Sequence, residues 1–167
     1  MRKMTQANMQ AAFAGESQAH MRYLIFAGEA DKEGYPNVAR LFQAIAYAER
    51  VHATNHLREL GGIQGSAENL QTGINGETYE VKEMYPAFKA VAELQGEKGA
   101  LRSSDWALQA EKIHAVMYGQ AKAAVEAGRD LEIGDIYICE LCGHTVAGEP
   151  PDRCPICNAQ RERFRQF

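Results

Sequence analysis

Over the first 130 residues the apolar positions recur at helical rather than alternating intervals. From Thr5 to about Asp31 there is no proline, and Met9, Phe13, Leu24 and Ala27 fall on one stripe. Thr5 stands where an N-cap hydroxyl would, and Gly34 and Pro36 supply the stop. Asn37 is placed to cap a second helix, which carries Leu41, Phe42, Ile45 and Leu57 on its inner face and ends at Gly61-Gly62. The glycine-rich stretch 61–76 reads as a connection with a short helical turn around 67–70. A third helix is predicted over 77–94, with Pro86 removing one ladder hydrogen bond and so kinking or dividing it. A fourth runs over about 100–127, with Leu101, Leu108, Ile113, Met117 and Val125 apolar and Gly128 beyond it. Four amphipathic helices predict an all-α, antiparallel four-helix bundle.

After Gly128 the pattern changes. Ile133, Ile136, Tyr137 and Ile138 make a short strand-like run, and Gly143, Gly148, Pro150, Pro151 and Pro155 punctuate the remaining chain. A tail this short cannot bury a core of its own, so its four cysteines must staple it. The expected organisation is a helical domain over 1–130 and a small, β-rich, four-cysteine metal domain over 131–167.

Carboxylates interrupt the helical stripes. Glu16 lies three residues after Phe13; Glu49 and His52 follow Ile45; Glu80 and Glu83 repeat the i, i+3 spacing on the third helix; Glu111 and His114 fall between Leu108 and Met117. Side chains three apart project from one helical face, so each pair can aim two ligands at one point. A single Glu-x-x-His is more often a solvated face than a metal site. Together, these residues follow buried stripes, and unpaired carboxylates inside a bundle are untenable unless a cation joins them. One Glu from each of two helices and Glu-x-x-His from the other two is the recipe of ferritin-like di-metal proteins. Oxygen-rich donors with imidazole suit Fe(II) or Mn(II) better than zinc. Two ferrous ions balance the charges of Glu16, Glu49, Glu80 and Glu111, which leaves Glu83 as a spare anion to replace neutral His52 on oxidation. Tyr23, Tyr79 and Tyr85 read as core aromatics, and His20 and His56 as surface or supporting residues.

Composition narrows the partners. Eighteen basic against 22 acidic residues give a formal charge of −4, and the basic residues are interleaved with acids, which argues against nucleic acid. Arg161, Arg163 and Arg165, with Glu162 between them, read as a solvated tail. No apolar run approaches the ~18–20 residues that cross a bilayer, and no apolar segment follows the basic N-terminus, so the expected location is the cytoplasm, with no membrane partner.

In a reducing compartment, Cys139-x-x-Cys142 and Cys154-x-x-Cys157 point to one tetrahedral metal rather than to disulfides. Spacing alone leaves a structural zinc ribbon open. Gly143 follows the first knuckle, and Asn158, which tolerates a left-handed backbone, follows the second. Tyr137, Phe164 and Phe167 are candidates to pack over the site. Iron moves one electron where zinc moves none, and a one-electron centre beside a two-electron pair makes chemical sense; this favours iron.

These residues name a family. Residues 14–19 (AGESQA), residues 76–80 (GETYE) running on to Glu83-Met84-Tyr85-Pro86, both Glu-x-x-His pairs and the C-terminal knuckles resemble a rubrerythrin over nearly the whole chain. The resemblance implies a ferritin-like bundle with a rubredoxin-like domain. It matches Glu16, Glu49, Glu80, Glu83, Glu111 and His114 to the ligands of two irons, His52 to the residue that exchanges with the Glu83 position, and Cys139, Cys142, Cys154 and Cys157 to the ligands of a third iron. His144 stands where Tyr is common and Asn158 where Gly is common. The implied activity is reduction of hydrogen peroxide to water in oxidative-stress defence, with electrons relayed through the thiolate-bound iron. A head-to-tail homodimer is implied as well; some members exchange helices, and a connection over 61–76 is long enough for that. No glycine-rich dinucleotide fingerprint is present, so the electron donor is a separate rubredoxin or NAD(P)H-dependent reductase. The competing readings are a ferroxidase or iron store, and a zinc-bearing structural module.

Overall fold

The computed structural model describes residues 1–167 and divides into two compact units, Met1–Gln64 and Gly65–Phe167. In the first, α1 (Lys3–Lys32) and α2 (Pro36–Glu59) form an antiparallel hairpin. The turn is closed by Gly34 in the left-handed region (φ +82°), while the Tyr35 N–H donates to the Ala30 carbonyl. Both helices begin ahead of Thr5 and Asn37, the expected caps; Pro36 opens α2, its ring pre-set for a first helical turn. The seam is alanine: Ala27 and Ala30 on α1 and Ala39, Ala46 and Ala53 on α2 are the buried residues. Phe42 adds ring contacts with Tyr23 and Phe26, at centroid separations of 6.0 and 5.7 Å. Only part of the expected inner face of α2 turns inward. Leu41 and Ile45 are 61% and 42% exposed.

The second unit opens with a third long helix that starts well before Glu77. It consists of α3 (Ser66–Tyr79), a π-helical stretch (Glu80–Met84) and α4 (Tyr85–Leu94). The connection is therefore 60–65, not 61–76. Gly73, which read as loop, lies inside α3, where an added Cβ would meet the Tyr118 ring at 3.0 Å. Its glycine permits close approach to a neighbouring helix. The kink expected at Pro86 takes the form of the π turn, in which the Tyr85 N–H reaches back to the Glu80 carbonyl. Antiparallel to this helix runs α5 (Lys98–Glu126), with Lys89 paired to Asp105 across them.

Three short strands complete the chain: β1 (Ile136–Cys139), β2 (Thr145–Ala147) and β3 (Phe164–Gln166), with β1 central and both neighbours antiparallel to it. Their core is Cys139, Cys154 and Phe164, flanked by Tyr137, Val146 and Ile156. Phe167, expected over the site, is 67% exposed and lies against Arg165. The fold class read from the sequence holds: long helices, then a small sheet bearing the cysteines. No helix is long and apolar enough to cross a membrane.

Candidate metal centres

Three groups of donor atoms assemble, and in each the candidate ligand atoms lie within 4.8 Å of one another. The first belongs to the α1–α2 hairpin: Glu16, Glu49 and His52. His52 Nδ1 lies 3.0 Å from Glu49 Oε2 and 4.0 Å from Glu16 Oε1. Both carboxylates are partly buried, whereas the His52 side chain is 54% exposed. Behind them His20 Nδ1 lies 2.7 Å from the Ala46 carbonyl oxygen; since a carbonyl only accepts, Nδ1 carries the proton and donates it. That bond spends one face of His20 on joining the helices, in keeping with its supporting role.

The second group is Glu77, Glu111 and His114. His114 Nδ1 stands 2.5 Å from Glu111 Oε2, while its Nε2 is 2.7 Å from the Thr145 hydroxyl of β2. Burial, the Glu111 charge and a hydrogen bond with Glu111 push the Glu77 carboxyl up to about 7. Glu80 is raised as well, by burial and then by Glu111. Burial and then the charges of Glu80, Glu111 and Glu77 raise the Tyr85 phenol. Tyr85 thus stands beside the carboxylates rather than as a plain core aromatic; Tyr79 is 54% exposed. This crowding tests the fit to a cation: the raised Glu77 carboxyl beside Glu111 holds a proton where a cation could take its place.

From the sequence, Glu80 and Glu83 were the expected pair on this helix. The structure instead sets Glu77 with Glu111 and His114, keeps Glu80 within their electrostatic reach and leaves Glu83 exposed. The wider turn of the π stretch carries Glu83 off the face that holds Glu80. A signal for Glu77 is present in the sequence: it precedes Glu80 by the same three residues that separate Glu80 from Glu83.

The third group is Cys139, Cys142, Cys154 and Cys157. Sγ atoms of Cys139 and Cys157 are 3.6 Å apart, and those of Cys142 and Cys154 are 3.5 Å apart. Those spacings are far beyond a disulfide bond and close to the ~3.7 Å edge of a tetrahedron whose metal–sulfur bonds are ~2.3 Å. The two knuckles match bond for bond. Gly143 N–H donates to Cys139 O and Asn158 N–H to Cys154 O, both at 2.9 Å; Cys139 N–H bonds His144 O and Cys154 N–H bonds Ala159 O. Gly143 and Asn158 both adopt left-handed conformations, with φ +79° and +62°, as expected from the sequence. Burial pushes the Cys142 thiol up, partly offset by the His144 N–H, and also raises Cys157. Cys154 is held below its ordinary value against its burial by the N–H groups of Cys157 and Ile156.

Residues 7–122 match the Rubrerythrin family model, and residues 137–165 match the rubredoxin-like domain of rubrerythrins. The chain belongs to the rubrerythrin family. It is 43% identical to Rubrerythrin-2 of Clostridium acetobutylicum, covering 98% of this chain and 97% of that one. Nigerythrin of Nitratidesulfovibrio vulgaris is 34% identical, over 98% of this chain and 86% of the relative. The solved structure of nigerythrin in its fully reduced, all-ferrous state matches with a TM-score of 0.57 at 33% identity, covering 98% of this chain and 86% of that one. In a rubrerythrin, carboxylate and histidine groups on the helices and four clustered thiols in the rubredoxin-like domain fit iron at both kinds of centre.

Proposed function

We propose that this rubrerythrin is a non-haem iron peroxidase that reduces hydrogen peroxide to water in oxidative-stress defence. When bound, a pair of irons held by carboxylates supplies two electrons to the O–O bond, and one thiolate-bound iron returns them singly. The residues that would hold the pair are Glu16, Glu49, His52, Glu80, Glu83, Glu111 and His114, with Glu77 beside Glu111 and His114 as a further candidate; the third iron would take Cys139, Cys142, Cys154 and Cys157. Residues 1–130 then serve as the di-iron domain and 131–167 as the electron-entry domain. Tyr85, whose phenol is raised by burial and then by the surrounding carboxylates, has an O–H that can donate to one of them.

The observation that carries the reading is the coexistence, in one chain, of carboxylate–imidazole groups and a tetrahedral four-thiol group. Support also comes from nigerythrin, solved in fully reduced, mixed-valent and partially reduced states. The setting we infer is the cytoplasm, with a separate rubredoxin or NAD(P)H-dependent reductase as donor. A homodimer fits the large apolar side chains each unit leaves exposed: Phe26, Leu41 and Ile45 in one, Phe88, Val91 and Val116 in the other. A second copy of the chain is the partner that offers a like apolar surface to each.

Cys142→Ser tests the electron route. Steady-state peroxide reduction with a reductase should fall to background, while a single oxidation of the fully reduced protein by peroxide in stopped flow should persist. Steady-state turnover that survives the change would exclude the route. A ferroxidase, in contrast, would consume dioxygen faster than peroxide and retain iron beyond three ions per chain.

A further inference from the structure

We propose that Thr145 is a positioning residue for His114: its hydroxyl accepts from the Nε2–H of the metal-bound imidazole, so that the cysteine module secures Nδ1 as the nitrogen offered to the carboxylate site. The inference rests on His114 being a metal ligand, as in the proposed function.

Thr145 opens β2, three residues after Cys142, and is only 5% exposed. Its Oγ1 lies 2.7 Å from His114 Nε2 and 3.2 Å from the Gly143 carbonyl oxygen. A hydroxyl has one proton to give, and a carbonyl can only accept. With that proton directed to Gly143, the hydroxyl accepts from an Nε2–H. Nδ1 is then free to give its lone pair to a cation on the side where Glu111 and Glu77 gather; without a cation, its 2.5 Å contact with Glu111 Oε2 needs the proton on Nδ1, and the hydroxyl turns to donate to Nε2. Ligand histidines are commonly held this way through their second nitrogen.

The anchor is stiff because the first knuckle builds it. Ile138 pairs with Thr145 across β1 and β2, the Cys139 N–H bonds the His144 carbonyl, and the His144 N–H reaches the Cys142 sulfur. One four-residue segment, Cys142 to Thr145, therefore touches both a thiolate and the imidazole. The other Glu-x-x-His histidine has no such support: His52 is half exposed and bonds only to carboxylates through Nδ1. The two histidines are alike in sequence and unlike in restraint.

Removing the hydroxyl leaves Nε2 at a cleft of about 230 Å³ where Met117, Ile136 and Ile138 are apolar and only the Tyr118 phenol is polar. An N–H pointed there loses its partner, whereas one on Nδ1 finds Glu111. Thr145→Val should thus favour the metal-free imidazole, with its proton on Nδ1, over the metal-bound one. The test is nitrogen-15 NMR of the full-length protein, its cysteine site filled, titrated with zinc(II), for wild type, Thr145→Val and Thr145→Ser. All three should hold Nδ1–H before the carboxylate site fills, and wild type and the serine variant should pass to Nε2–H at a zinc concentration where the valine variant has not. Competition with cobalt(II) should show the carboxylate site weakened by about 10–100-fold in the valine variant and restored with serine. Thiolate-to-cobalt absorption at the cysteines should be equal in all three. A valine variant that passes to Nε2–H alongside wild type, with wild-type cobalt affinity, would overturn the proposal, as would loss of the thiolate band alongside the affinity, which marks general unfolding. A wild type whose His114 keeps Nδ1–H at saturating zinc would reject the functional reading instead, since His114 would then ligate nothing.

Discussion

Glu77 and Glu83 are the same residue type, on the same helix, at the same distance from Glu80; only burial and neighbours separate them. Spacing could not choose between them, because a π turn changes the face on which i, i+3 residues land. Glu16, Glu49, His52, Glu111 and His114 were legible because each sits on an unbroken α-helical stripe. The raised Glu77 carboxyl has a consequence for pH. In the unfolded chain it ionises near 4.5, in the metal-free fold near 7, so the fold keeps a proton that the unfolded chain releases. Stability from this group is complete below the lower value and is lost as pH rises through the higher one. Thermal unfolding of the metal-free protein should accordingly show a fall in Tm from pH 5 to 8 that Glu77→Gln flattens. A divalent cation displaces the same proton, so its affinity should rise over that window, and Glu77→Gln should weaken binding at every pH. A Tm profile identical in the two proteins would remove Glu77 from the cluster.

At the level of elements, the four helices and their order were written in apolar periodicity, whereas their packing was not. Glycine is ambiguous in sequence: Gly34 turns the chain, but Gly73 lets α3 approach Tyr118, and periodicity could not distinguish these uses. Alanine misled in the other direction. Large residues were expected to mark the inner face of α2, and Phe42 does meet Tyr23 and Phe26 of α1, yet the buried residues of α2 are Ala39, Ala46 and Ala53, spaced at sevens. Small side chains allow close helix approach, and Ala46, with no exposed surface, also offers its carbonyl to His20. Ala46→Leu must therefore separate α1 from α2. Overpacking of this kind costs about 1–3 kcal/mol, so denaturant melts of the full chain should show a lower midpoint. The same separation moves Glu16 on α1 away from Glu49 and His52 on α2, so less iron should be retained on reconstitution. Unchanged stability would mean the seam is slack.

For the molecule as a whole, the cysteine module poses the sharpest question of what holds it together. Its core amounts to Cys139, Cys154 and Phe164 with a few half-buried neighbours, and its strands are three or four residues long. Such a segment cannot offset its own ordering entropy by burial, a conclusion already available from the turn-rich sequence after Gly128. What the sequence could not disclose is where the module attaches. Thr145 is a residue without a motif, and its bond to His114 spans 31 positions. Thiolate–metal bonds then carry the folding free energy of the strands, and the Thr145 bond passes that order on to His114. Cys154→Ser removes one buried ligand from the tetrahedron. Hydrogen exchange on the metal-loaded full chain should show amides of β1, β2 and β3 losing protection by orders of magnitude, while those at the centres of α1, α2 and α5 keep it. His114 should respond with the strands despite lying on α5, its Nε2–H losing a fixed acceptor as the threonine loses its place. Strands that remain protected without the fourth thiolate would show that packing alone sustains them, and a His114 unmoved by their melting would mean that the helix, not the module, sets its orientation.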